Sequence, residues 1–195
     1  MDVYIQFGSN VGNDCFFKEM CALEKKSKII LIEPDEDAFK ELIECYKELK
    51  NIHDIHFLNL GIVHDKKIKK FIIYPSSVNN SFINRNHFIK SNNIKNIDTI
   101  TFDELCSKYN INNIKKLSID CEGYDYSLIN SIDFLKYKIE EINCEIWPHD
   151  YDSTTEIPTG PYFFENTLKP KILQFYTISD YEIDGMPSYK FELKV

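Results

Sequence analysis

Apolar residues along this chain switch between a strand-like and a helix-like spacing. Val3-Tyr4-Ile5-Gln6-Phe7 is a run of β-formers, and Gly8-Ser9-Asn10-Val11-Gly12 closes it with turn residues. Asn13 or Asp14 then stands at a helix-capping position. Phe16, Phe17, Met20 and Leu23 recur at helical spacing, which predicts a helix reaching about Lys26. Lys28-Ile29-Ile30-Leu31-Ile32-Glu33 is an apolar strand ending in an acid. Pro34 stops it, and Asp35 opens a second helix with Phe39, Leu42, Ile43, Tyr46 and Leu49 on one face. A third strand is predicted over Ile55 to Val63. Continuous apolar strands alternating with helices imply a parallel sheet covered on both faces, a doubly wound α/β fold.

The alternation then breaks. Lys69 to Tyr74 reads as an extra strand, and Pro75 to Asn96 is rich in Asn and Ser, so residues 64–97 read as a polar insertion. Thr101-Phe102-Asp103-Glu104-Leu105 opens a short helix. Leu117 to Asp120 is a fourth strand, Tyr126 to Phe134 a helix and Glu141 to Trp147 a fifth strand. A second loop at 148–160, helix signals from Tyr162 to Leu168, and strands near Ile172–Ile178 and Tyr189–Leu193 complete the chain. No repeat or linker divides it, and 195 residues fit a single domain over 1–195.

Composition narrows the partners. A net charge of −8 disfavours non-specific binding to nucleic acid or to anionic membranes. No apolar run approaches the roughly 18 residues of a membrane span, and the start has no secretory signal pattern. The six cysteines have no CxxC spacing and read as reduced thiols of a cytosolic, cytoplasmic protein. The sequon Asn79-Asn80-Ser81 then carries no meaning. Oligomeric state leaves no mark in the sequence.

Strand ends carry the candidate chemistry, because open α/β sheets bind ligands there. Leu117-Ser118-Ile119-Asp120-Cys121-Glu122-Gly123 ends an apolar strand with two acids and a glycine. Gly8 and Gly12 allow a sharp turn and a close backbone approach after the first strand. Glu33 follows roughly 20 residues later, where an acid can hold two ribose hydroxyls. The loop lacks the third glycine of a dinucleotide fingerprint, and the chain has no phosphate-binding G-x-x-x-x-G-K-[ST] loop. A ligand with a ribose and no phosphate fits best, which points to S-adenosylmethionine.

These residues resemble the FkbM family of S-adenosylmethionine-dependent methyltransferases over nearly the whole chain. Phe7-Gly8-Ser9-Asn10-Val11-Gly12 is similar to the family's D-x-G-A-N-x-G loop, and Ile32-Glu33-Pro34 to its E-P. Phe57-Leu58-Asn59-Leu60-Gly61 resembles the third-strand segment, Thr99 to Leu105 the T-L-D-x-L segment, and Ser118 to Asp125 the K-I-D-V-E-G-x-E motif. Glu145 matches an acid at the end of the fifth strand. The resemblance implies a Rossmann-like class I methyltransferase fold. Its seven-stranded, mostly parallel sheet would have the order 3-2-1-4-5-7-6 with an antiparallel last strand. It also implies O-methylation of a hydroxyl, commonly of a sugar or polyketide. Gln6, Gly8, Ser9, Asn10, Gly12, Glu33, Pro34, Asn59, Asp120 and Glu122 would surround the cofactor.

Two positions depart from the pattern. Gln6 stands where the family usually has an acid near the cofactor's amino-acid moiety, which predicts weaker affinity, and Ser118 replaces a lysine. The chain also opens directly on its first strand, as a minimal enzyme or a domain of a longer protein would.

Asp120 is the first candidate for the base that takes the acceptor's proton, with His149 the second. Asp120 with Glu145 or His149 could also hold a divalent cation. Glu122 reads either as a site residue or as a brace for the turn. His53-Asp54-Ile55-His56 has a metal-like spacing but reads as solvated, as does Lys66-Lys67-Ile68-Lys69-Lys70. Tyr74, Phe82, Phe88 and Trp147 either line a cleft for a small-molecule or glycan acceptor or anchor the loops. The competing functions are a catalytically inactive nucleoside-binding module and a nicotinamide-dependent oxidoreductase.

Overall fold

The computed structural model describes residues 1–74, 80–83, 93–145, 160–183 and 186–194. Its centre is a seven-stranded sheet built from β1 (Val3–Phe7), β2 (Lys28–Ile32), β3 (Asp54–Leu58), β8 (Asn113–Ile119), β9 (Lys138–Glu145), β10 (Tyr176–Ile183) and β11 (Met186–Leu193). The order is β3-β2-β1-β8-β9-β11-β10. Counted among themselves these strands read 3-2-1-4-5-7-6, as the resemblance implies, and β11 runs antiparallel to both neighbours.

Alternation along the strands divides the core. Ile5, Phe7, Ile30, Ile32, Leu117, Ile119, Ile142 and Phe191 face one side and pack with α3 (Phe102–Tyr109) and α4 (Asp125–Ser131). Tyr4, Ile29 and Leu31 face the other side. There they bury Phe16 and Met20 of α1 (Cys15–Cys21) and Leu42 of α2 (Glu36–Cys45). Full burial of each such side chain stabilises the fold by roughly 1.5–3 kcal/mol. Helix ends follow local chemistry. Asp14 caps α1, Asp35 caps α2, and Thr101 with Glu104 forms a reciprocal capping box on α3.

Several boundaries differ from the sequence reading. The helix expected to reach Lys26 stops at Cys21, because the chain must return to β2 at Lys28. The strand expected over Ile55–Val63 breaks into β3 and β4 (Gly61–Val63). Asn59 Nδ2 donates to Glu33 O (2.9 Å), Gly61 N donates to Asp98 O (2.8 Å), and β4 leaves the main sheet to pair with β7 (Thr99–Thr101). Within the insertion, β5 (Lys70–Ile73) pairs with a strand not foreseen, β6 (Asn93–Asn96). The helical segment Gly160–Phe163 continues through a π-helical turn, Phe164–Leu168, to Lys169–Ile172, so the strand expected from Ile172 begins only at Tyr176.

The two segments expected to be solvated and Tyr74, read as a cleft or anchor residue, resolve differently from one another. His53 is buried, and its Nδ1 accepts from Ser27 N (3.3 Å), so it is not solvated. Lys66 pairs with Glu104 on an exposed turn. Tyr74 is buried and its hydroxyl donates to Ile83 O (3.4 Å), a bond within the insertion. No helix among the described residues is long and apolar enough to cross a membrane.

Candidate active site

The tips of β1, β2 and β8 converge through the loop after β1. Gly8 N and Ser9 N both donate to Ile32 O, at 3.0 and 3.1 Å, and Asp120 N donates to Phe7 O at 3.0 Å. Gly8 has φ +73°, and a Cβ there would lie 1.7 Å from the Asp120 carbonyl oxygen. Only glycine lets the two strand ends meet this closely. At Gly12 a Cβ would meet Leu42 and Tyr46, so glycine there lets the α2 side pack close against the loop.

Glu33 is buried under this loop. Its Oε2 accepts from Asn10 N (2.7 Å) and its Oε1 from Asp35 N (2.8 Å). Each carboxylate oxygen can accept about two hydrogen bonds, so each retains capacity for a ligand hydroxyl. Burial pushes the Glu33 carboxyl up to about 7, and the charges of Asp35 and Asp120 add to the rise while the two N–H donors oppose it.

The turn after β8 is held by Asp125. Its fully buried carboxylate accepts from Gly123 N (3.2 Å) and Cys121 N (3.4 Å), and burial holds its carboxyl well above the ordinary range. Asp125 thus braces the turn that follows β8. Glu122 itself adopts φ +54°, a left-handed conformation costing a non-glycine residue roughly 1–2 kcal/mol. Strain of this kind clusters where a side chain is needed at a site. The insertion is pinned across both rims: Ser81 Oγ donates to Glu122 O (3.1 Å) and Asn80 Nδ2 to Asp35 Oδ2 (3.0 Å).

Two cavities meet at Asp120 and Glu122. The first, of about 120 Å³, is lined by Gly8, Asn10, Ile32, Glu33, Pro34, Ile62, Phe71, Asn80, Ser81, Phe82 and Cys121 besides the two shared acids. The second, of about 180 Å³, is lined by Gln6, Asp14, Phe16, Ser118, Glu145, Met186 and Ser188 besides the shared acids. The first mixes apolar side chains with the buried acid Glu33. The second carries the carboxylates of Asp14 and Glu145 besides the shared acids, and no lysine or arginine among the described residues lines it.

Of the residues singled out in the sequence, Gly8, Asn10, Glu33, Pro34, Asp120 and Glu122 line the first cavity, and Gln6 and Glu145 the second. Ser9, Gly12 and Asn59 line neither and shape the loops behind it. Phe82, considered for the acceptor cleft, lies against the first cavity instead, between Phe71 and Tyr124 (ring centroids 5.1 and 5.5 Å away). His149, Trp147 and Phe88 lie outside the described residues. Sequence reasoning missed Asp14, Ile62, Phe71, Asn80, Ser81 and Ser188. For Asp14 a signal existed, a capping acid directly beyond the glycine loop. Among the described residues no group of three or more His, Cys, Asp or Glu side chains could hold a metal ion.

The strand order, with its antiparallel β11 and its acids at the tips of β2 and β8, defines a class I Rossmann-like methyltransferase fold. Solved structures share it. A fibrillarin from Aeropyrum pernix, determined with natively bound S-adenosyl-L-methionine, aligns with a TM-score of 0.50 at 10% identity, over 97% of this chain and 66% of that one. The METTL16 methyltransferase domain aligns with a TM-score of 0.52 at 8% identity, over 100% of this chain and 61% of that one. This chain thus spans about two thirds of the first and less of the second, and the likeness is one of fold. The methyltransferase FkbM domain matches residues 6–182, and the chain belongs to that family of S-adenosylmethionine-dependent methyltransferases. Comparison with curated proteins found no match.

Proposed function

We propose that this protein transfers a methyl group from S-adenosylmethionine to a hydroxyl of a small-molecule or glycan acceptor, most fittingly a sugar. The observation that carries the reading is the pair of unlike cavities joined at Asp120. The nucleoside would occupy the first, with Glu33 accepting from the ribose hydroxyls and Phe82 against the adenine. The carboxylate-walled second cavity suits a cationic end. The bound cofactor supplies an already activated methyl group. The chain's task is then alignment, which contributes roughly 7–11 kcal/mol in well-oriented reactions. Asp120 is exposed at the junction, where an acceptor entering past Glu145 and Ser188 would present its hydroxyl.

The competing functions fit less well. A nicotinamide dinucleotide would place its pyrophosphate among carboxylates. A net charge of −8 equally disfavours a nucleic-acid acceptor. An inactive binding module would bind the cofactor with no turnover. Thermal-shift measurements should show stabilisation by S-adenosylmethionine and S-adenosylhomocysteine and none by NAD or NADP. Stabilisation by NAD alone would overturn the reading. Release of S-adenosylhomocysteine on adding hydroxylated acceptors separates enzyme from binding module.

One substitution tests the nucleoside assignment. Phe82→Ala should weaken S-adenosylhomocysteine and adenosine alike by about fivefold, since aromatic packing contributes roughly 0.5–1.5 kcal/mol beyond area burial. Unchanged adenosine affinity would place the base elsewhere.

A further inference from the structure

Where the family motif carries a lysine, this chain carries Ser118, and the shorter side chain leaves room on the sheet. β8 alternates, so Lys116 and Ser118 face the α1 side while Leu117 and Ile119 enter the core on the other. Register sets Ser118 beside Asn143 of β9, and Glu145 beside Ser188 of β11, which stands opposite Tyr181 of β10. Residues directly opposite one another share a face, so this set spreads over the α1 side of the sheet. The apolar core on that side stops at β1: among the described residues, none of its buried members comes from β8, β9, β10 or β11. Beyond β1 the face is polar.

A third cavity, of about 260 Å³, lies on this face. Lys116, Ser118 and Asn143 line it from the sheet, Phe16 and Glu19 from α1, and the exposed Tyr181 from β10. Phe16 and Ser118 also line the second cavity, so the two join there as one trough leading away from Asp120. Lys116 lies four residues from Asp120 along β8, roughly 13 Å at the usual strand rise, which is longer than a single sugar ring. Charges beside the trough are paired: Lys116 with Glu19 and with Glu141 (3.0 Å), Lys190 with Glu141 (3.3 Å) and Glu192 (3.1 Å). They leave little field for an anionic polymer and suit a neutral occupant. Hydroxyl and amide side chains both donate to and accept from hydroxyl groups, and an exposed tyrosine offers a ring face with a polar tip. We infer that the trough is an acceptor subsite for a neutral oligosaccharide, an inference that rests on the methyl-transfer reading. The methylated ring lies at Asp120, and the next ring lies over Ser118 and Asn143 against Tyr181. Ser118 is then a specificity-determining residue, because a lysine there would lay its chain across the point where the cavities join.

The test is an array of neutral hexose mono-, di- and trisaccharides, probed with protein saturated with S-adenosylhomocysteine. Wild type should retain di- and trisaccharides in preference to monosaccharides. Tyr181→Ala should weaken that retention about fivefold, the worth of one aromatic contact. Ser118→Lys should abolish the preference for longer sugars by filling the junction. Calorimetry should find S-adenosylhomocysteine affinity unchanged in Tyr181→Ala, because Tyr181 lines the third cavity and neither of the other two. Equal retention of mono- and disaccharides, a bare array, or a preference that survives either substitution would overturn the subsite, while bound S-adenosylhomocysteine leaves the methyl-transfer reading standing. Wild-type protein that does not bind S-adenosylhomocysteine would instead overturn that reading, and the subsite with it.

Discussion

Asp120→Asn should lower turnover by roughly 10²–10⁴-fold, the usual contribution of a positioned general base, while cofactor affinity stays close to that of the wild type. The substitution is nearly isosteric. It leaves intact the backbone bond from Asp120 N to Phe7 O and the contact of the Asp120 carbonyl with Gly8, which together set the geometry of the loop. It removes the capacity of the side chain to take a proton. Binding should survive because the hydrogen bonds assigned to the cofactor's ribose are made by Glu33. Calorimetry with S-adenosylhomocysteine and single-turnover formation of the same product separate the two effects. Turnover unchanged from wild type would remove Asp120 as the base and pass the role to His149 or Glu145. A parallel fall in affinity would mean that Asp120 holds the cofactor.

The parts of this site that were legible in the sequence are those whose chemistry is local. Glu33 and Asp120 each follow an apolar run directly, so their place at a strand tip could be read from the run itself. Gly8 announced a turn in the same way. What escaped were contacts between distant segments. Ser81 reaches Glu122 across 41 residues and Asn80 reaches Asp35 across 45, and neither lies in a periodic pattern. Phe71 and Phe82 reach the first cavity only because β5 folds back over it, with Ile72 bridged to Ser81. Gly61 opens the room for Phe82, since a Cβ there would come within 2.3 Å of its ring. Nothing in the Phe57–Gly61 stretch marks that role. Fold errors have the same origin: the break at Asn59 depends on carbonyls of the neighbouring strand turn, and hydropathy does not register them.

Glu33 should make nucleoside binding depend on pH near neutrality. Burial holds its carboxyl at about 7 in the free protein. A protonated carboxyl offers the ribose hydroxyls fewer acceptors, so binding favours the carboxylate and releases the proton as pH falls below that value. Affinity for 5′-methylthioadenosine, which has no ammonium or carboxylate of its own, should rise with pH by up to about tenfold per unit below 7 and level off above it, one pKa unit being worth about 1.36 kcal/mol. Folding responds in the opposite sense. The folded protein holds this proton more tightly than the unfolded chain, whose glutamates titrate near 4.3, so the stability gained from the raised carboxyl is present at low pH and lost as pH climbs towards 7. The free protein thus gives up stability in the window where the ligand gains affinity, and thermal shifts produced by the ligand should grow between pH 6 and 8. Glu33→Gln should flatten the pH dependence. Glu33→Ala should cost at least tenfold in affinity at pH 8, since hydrogen bonds to a charged group each contribute roughly 1.5–3 kcal/mol. A Glu33→Ala variant that binds 5′-methylthioadenosine as tightly as the wild type at pH 8 would detach Glu33 from the ribose.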